Sequence, residues 1–193
     1  MKNENTSGWV RVWDLPTRLF HWSLVTAFLV AYTTEDDLLT VHNWAGYFVL
    51  ALVVFRVVWG FTGPRYARFA DFVHPLPVVR DYLKETMAKR APRYLGHNPA
   101  GGAMIVLLLI GLVPTAISGM AVYAAEENAG PLAFWLGGAG EGTANALSEA
   151  HEIIAHATML LIIFHVIGVV VASRQHGENL VRAMVTGMKR REP

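Results

Sequence analysis

Residues 150–168, AHEIIAHATMLLIIFHVIG, are apolar enough to cross a bilayer and yet contain His151, His156 and His165. Ionisable side chains in a membrane span are costly and mark function, so these imidazoles are the first candidates for chemistry. On a helix turning 100° per residue, His165 falls about 40° short of whole turns from His151 and about 21 Å along the axis. The two share a face at opposite membrane depths. His156 points about 140° away from His151 and reads as a packed or hydrogen-bonded helix residue. The chain has no cysteine, which excludes disulfides, thiolate clusters and C-x-x-C-H haem attachment. Any metal group must rest on histidine, methionine or oxygen.

The elements that position these residues follow from composition and charge. Hydrophobic residues make up 53% of the 193 and charged residues 16%, a more apolar balance than soluble domains show. Four apolar segments stand out, at about 19–33, 42–61, 102–124 and 153–172. The last three are long enough for the roughly 30 Å hydrocarbon core. The first is short and could also be read as a signal-peptide core, but no clean small-x-small cleavage site follows it. The expected fold is all-α, a membrane four-helix bundle forming a single domain over 1–193.

Lys and Arg test this topology independently. Lys2, Arg11 and Arg18 precede the first span; Arg65, Arg68, Arg80, Lys84, Lys89, Arg90 and Arg93 lie between the second and third; Arg174, Arg182, Lys189, Arg190 and Arg191 follow the fourth. The other two loops have none and carry Glu35, Asp36, Asp37, Glu126, Glu127 and Glu141. Positive loops stay in the cytoplasm, so both termini and the central loop are expected there. Segments 77–90 and 178–191 have apolar residues at helical spacing beside basic ones. Each is expected to be an amphipathic helix, lying on the cytoplasmic membrane face or packing against the protein. The outer loop has glycine-rich turns and a Phe134-Trp135 pair suited to an interfacial anchor.

With this topology His21, at the head of the first span, shares the inner level with His165, while His42, at the head of the second, shares the outer level with His151. Two pairs result, His21/His165 and His42/His151, one per leaflet. A haem fits between facing imidazoles in an apolar bundle better than a bare ion does. Tetrahedral zinc would need further ligands at each level, and the apolar runs offer no Cys, Asp or Glu. The expected group at each pair is therefore a haem, with the two facing histidines as axial ligands to iron. Arg56 projects from nearly the same face as His42, one level deeper, and fits two roles: pairing with a haem propionate or snorkelling to the inner headgroups. Glu152 could move protons or cap the start of its helix. His74 and His97 read as solvated turn residues and His176 as part of the tail. Gly46, Gly111, Gly119 and Gly168 allow close approach of a macrocycle or a helix, and Pro114 is a kink position.

"FHW" at the first helix, "VHNWAGY" at the second, "HE" with another histidine 14 residues on in the fourth, and "RVVWGFTGPRYARFADF" together resemble the bacterial cytochrome b-561 and nickel-iron hydrogenase cytochrome b family. The resemblance covers nearly the whole chain. It implies two non-covalent b-type haems on His21, His42, His151 and His165, and electron passage between membrane quinone and a redox protein such as a hydrogenase, a dehydrogenase or a periplasmic c-type cytochrome. Six-coordinate iron leaves outer-sphere electron transfer as its function, so no residue is assigned a catalytic role and an electron-transfer subunit of a respiratory chain is favoured over a stand-alone oxidoreductase. Two alternatives stay open. One is a superoxide:quinone oxidoreductase, disfavoured by the acidic outer loops; the other is a histidine-dependent metal or proton transporter. The expected surroundings are lipid, quinone and a partner protein in the bacterial inner membrane, with no nucleic acid. A reporter fused to the C-terminus should read as cytoplasmic; a periplasmic reading would overturn the four-span topology.

Overall fold

The computed structural model describes residues 8–35 and 38–191; Lys2, Asp36 and Asp37, counted in the charge pattern, lie outside the described residues. The element order is β1 (Trp9–Arg11), α1 (Leu15–Thr33), α2 (Leu39–Thr62), a 3-10 turn (Arg65–Ala67), α3 (Phe69–Phe72), α4 (Leu76–Met87), α5 (Pro99–Glu127), α6 (Ala133–Leu136), α7 (Glu141–Gln175), α8 (Leu180–Thr186) and β2 (Met188–Arg190). Among the described residues α2, α5 and α7 are long and apolar enough to cross a membrane. The 19-residue α1 is shorter and more polar, containing Thr17, Arg18, His21, Ser23 and Thr26. No Pro interrupts α2 or α7, and α5 continues through Pro114.

Two sequence expectations are corrected. Helix α7 begins at Glu141, not near 153, because 141–152 is polar but made of good helix formers such as Ala, Leu and Glu. Glu152 therefore lies inside the helix and does not cap its start. The helix expected over 178–191 is confined to α8, which Asn179 caps by accepting from the Arg182 amide. Gly187, at φ 80°, takes the left-handed conformation that ends the helix, and Met188–Arg190 continues as a strand antiparallel to β1. The segment expected at 77–90 is α4, which buries Val79 and Tyr82.

The chain forms two compact units. One comprises 22–55 and 107–162. Its core is built from all four long helices: Ala27 and Phe28 of α1, Val49 and Val53 of α2 and Leu112 of α5, with Met159 and Ile162 of α7 packed against them. This is the bundle. Its outward apolar residues, such as Phe48, Val54, Ile117 and Leu160, are exposed, as lipid-facing side chains should be.

The other unit comprises 8–21, 56–106 and 163–191 among the described residues. Val12, Trp13 and Ala183 form its core with Tyr66, Leu95 and Met184, and Phe72 is fully buried, worth about 1.5–3 kcal/mol of apolar transfer. The backbone of α5 approaches α3 so closely that a Cβ at Gly102 would lie 2.2 Å from the Phe72 carbonyl oxygen. The strand pair sets Trp9 opposite Arg190 and Val10 opposite Lys189. Lys189, 5% exposed, reaches Glu178 at 3.2 Å and donates to the Tyr94 carbonyl. Arg93 also pairs with Glu178 and donates to the carbonyls of Arg190 and Arg191. Burial lowers the pKa of the Lys189 ammonium and Glu178 opposes the shift. Removing one partner strands the two buried cations, so Glu178→Gln should weaken the strand pair by about 3 kcal/mol. Amide exchange at Val10 and Lys189 should then accelerate by roughly a hundredfold; unchanged protection would show that the carboxylate is dispensable.

Candidate functional site

In the bundle unit, α2 and α7 bring His42 and His151 together with ring centroids 6.1 Å apart and planes 89° to one another. Two imidazoles bound through Nε2 to one first-row metal, at about 2 Å each, require centroids about 6 Å apart. The Nδ1 of His42 donates to the Ala31 carbonyl at 2.8 Å. The Nδ1 of His151 lies 2.9 Å from the Ser118 hydroxyl, which itself donates to the Thr115 carbonyl. A carbonyl only accepts, so the His42 ring carries its proton on Nδ1 and presents Nε2 as a lone pair; with the Ser118 proton on the Thr115 carbonyl, the His151 ring does the same. This is the second-shell arrangement that metal-bound histidines use.

The cleft beside these rings has Phe28, Val49, Leu112 and Met120 in its walls. A Cβ at Gly119 would lie 3.4 Å from His151 Nε2, and Gly46 opens onto space with nothing within 4 Å. Gly111 instead packs against Thr158, and Gly168 has nothing within 4 Å. A flat macrocycle clamped by two imidazoles thus fits this donor set and its glycine-lined walls. His156 is exposed on α7, 4.0 Å from Glu152 and edge-on to Tyr32.

In the other unit His21 of α1 and His165 of α7 are half-buried and electrostatically coupled. Arg56 of α2 is 3% exposed, with its guanidinium 5.2 Å from the Phe69 ring centroid and 5.6 Å from that of Phe72. It is enclosed, not extended towards a headgroup layer. A Cβ at Gly60 would collide with Phe69, so that glycine admits one wall of the enclosure. Among the described residues the Nη1 of Arg56 is buried without a hydrogen-bond partner. An orphaned cationic donor of this kind fits a group that brings a carboxylate, as a haem does.

His97 corrects a further expectation, because it is not a solvated turn residue. Its ring lies 4.4 Å from Trp13 and 4.8 Å from Phe72, centroid to centroid. Burial first, then the charge of Arg56, lowers its pKa to about 3, so the ring is neutral. Lys189, His165 and His21 also act on it. Sequence reasoning missed it because Trp13 and Phe72 are distant in the chain; the nearest local signal was "GHNP", whose proline is the buried Pro99. His74 is half-buried outside this cluster, and burial lowers the pKa of His176, in the turn after α7. Among the described residues no three His, Asp or Glu side chains converge on one point, so neither pair forms part of a larger metal cluster.

Comparison with known proteins places this geometry in a family. Residues 12–187 match the prokaryotic cytochrome b561 family. A relative from Rhizobium leguminosarum bv. viciae, described as a probable Ni/Fe-hydrogenase B-type cytochrome subunit, is 28% identical over a match that covers 63% of this chain and 62% of the relative. No solved structure matches. A match running from the residue after β1 to the glycine that ends α8, over a helical bundle that pairs His42 with His151, makes this chain a member of the prokaryotic cytochrome b561 family.

Proposed function

We propose that the chain holds two haems b, one between His42 and His151 and one between His21 and His165, and relays electrons between the quinone pool and a redox protein in the bacterial inner membrane, with both termini cytoplasmic. The observation that supports this best is the His42/His151 pair, whose Nδ1 protons are both committed to protein acceptors. Bound between two imidazoles, a haem b supplies a one-electron iron couple without an open coordination position.

The chain's own residues supply orientation, dryness and charge. The Ala31 carbonyl fixes the His42 ring and raises its basicity, and Ser118 does the same for His151. Phe28, Val49, Leu112 and Met120 keep water from the cleft. Arg56 supplies a buried positive charge for a propionate of the second haem. The Rhizobium relative is described as a hydrogenase subunit, which favours a redox enzyme as the partner. The outer segments, which contain Glu35, Glu126, Glu127 and Glu141 and no Lys or Arg, favour a basic docking face on any partner from that side.

Redox-resolved visible spectra of histidine variants test the assignment. His42→Leu and His151→Leu should each remove the same haem, His21→Leu and His165→Leu the other, and His156→Leu neither. Loss of one common centre in His42→Leu and His165→Leu, loss of a haem in His156→Leu, or a colourless purified protein would overturn it.

A further inference from the structure

The unit containing Arg56 has a second buried donor with nothing to donate to. Among the described residues the Nδ1 of His97 is buried without a hydrogen-bond partner, as is the Nη1 of Arg56. Both side chains lean on one ring, with the Arg56 guanidinium 5.6 Å and the His97 ring 4.8 Å from the centroid of Phe72. Both lie within electrostatic reach of each other, and His21 and His165 act on His97 as well.

These donors are held by packing and not by each other. Trp13 covers His97, Gly102 brings α5 against the backbone of Phe72, and Gly60 admits Phe69 beside Arg56. An unsatisfied buried donor costs about 1–3 kcal/mol, and an unpaired buried cation costs more. Two such groups packed on one ring point to a shared acceptor that carries negative charge. The carboxylate whose charge reaches Arg56, that of Asp14, accepts from the Thr17 hydroxyl and from the Trp59 indole at 2.9 Å, and among the described residues no hydrogen bond joins it to Arg56 Nη1.

We infer that His97 is a positioning residue that joins Arg56 in binding a carboxylate of the haem proposed between His21 and His165, its imidazole N–H and the guanidinium sharing that group's oxygens. The inference rests on that haem assignment. It gives His97 a role that an axial ligand could not have, because it acts through the periphery of the macrocycle and not through the iron. A donor to the carboxylate offsets negative charge near the iron and favours the reduced state.

The test is redox titration of the haem that His21→Leu removes, in His97→Phe and His97→Gln. Phenylalanine preserves an aromatic ring between Trp13 and Phe72 without a donor, and glutamine preserves a donor without the ring. The expected result is a full haem complement in both variants. In His97→Phe the reduction equilibrium of that one haem should fall by about tenfold, which is about 59 mV for a one-electron couple, and His97→Gln should recover most of the difference. A second reading uses the unsubstituted protein in its reduced, diamagnetic state. Solid-state NMR of haem labelled with 13C at its carboxylates and of 15N-labelled histidine should show one histidine at hydrogen-bond distance from a carboxylate. An unmoved potential in His97→Phe, an equal fall in both variants, or no such contact by NMR would overturn the role of His97 while the haem assignment stood. If His21→Leu removed no haem, the assignment would fail and the inference with it.

Discussion

An imidazole inside a hydrocarbon-embedded bundle has to give its N–H to an acceptor before its other nitrogen is available for anything else. That requirement governs the bundle unit. Ala31 lies in the last turn of α1, where carbonyls lack an intrahelical α-helical partner; its oxygen accepts from the Thr34 amide at 3.3 Å, and His42 takes its remaining capacity at 2.8 Å. A helix end and a side chain thus complete each other, and the length of the connection from α1 to α2 sets where the His42 ring stands. His151 meets the same requirement through a hydroxyl that passes the bond on to the Thr115 carbonyl.

The seam that holds His151 in place continues along the same two helices. Thr158 of α7, 1% exposed, hydrogen-bonds the Thr115 hydroxyl at 3.0 Å, and a Cβ at Gly111 would stand only 3.0 Å from Thr158 Oγ1. Gly111, Thr115 and Ser118 therefore form one stripe of α5 facing Thr158 and His151 of α7. Between lipid-embedded helices apolar burial gives no net drive, so small residues and hydroxyl pairs provide the contact. The residues that fix the approach of the helices are neighbours, at helical spacing, of the residues that orient the ligand. A change that loosens Gly111 would be felt at His151 through Ser118.

How much of this was legible in the sequence follows from how local each cause is. The 3.6-residue period put His151 and His165 on one face, and the topology expected from Lys and Arg set His42 at the level of His151, where the two rings lie 6.1 Å apart. Helix α4 was legible because its apolar residues repeat along one face of one element. The strand β2 was not, because its partner lies at the other end of the chain and the signal that ends α8 is a single glycine at 187. The polar first turns of α7 were hidden because hydropathy registers solvent preference and helix formation depends on propensity. His97 was illegible for a different reason. A histidine two residues before a Pro in a polar loop reads as solvated, and only the fold brings Trp13 and Phe72 against its ring.

On the proposed reading the two histidine pairs sit in unlike electrostatic surroundings. The partners of His42 and His151 are neutral, a carbonyl and a hydroxyl, and the cleft beside them includes Glu35. His97, on which His21 and His165 act, also feels the charge of Arg56, a guanidinium buried to 3% exposure, in a place where water does not screen it. Adding an electron to an iron centre adds negative charge, which a nearby cation favours and a nearby carboxylate opposes. With the same pair of imidazoles at each centre, axial ligation does not distinguish the two. On that reading Arg56 and the groups that share its carboxylate would favour the electron at the haem they hold.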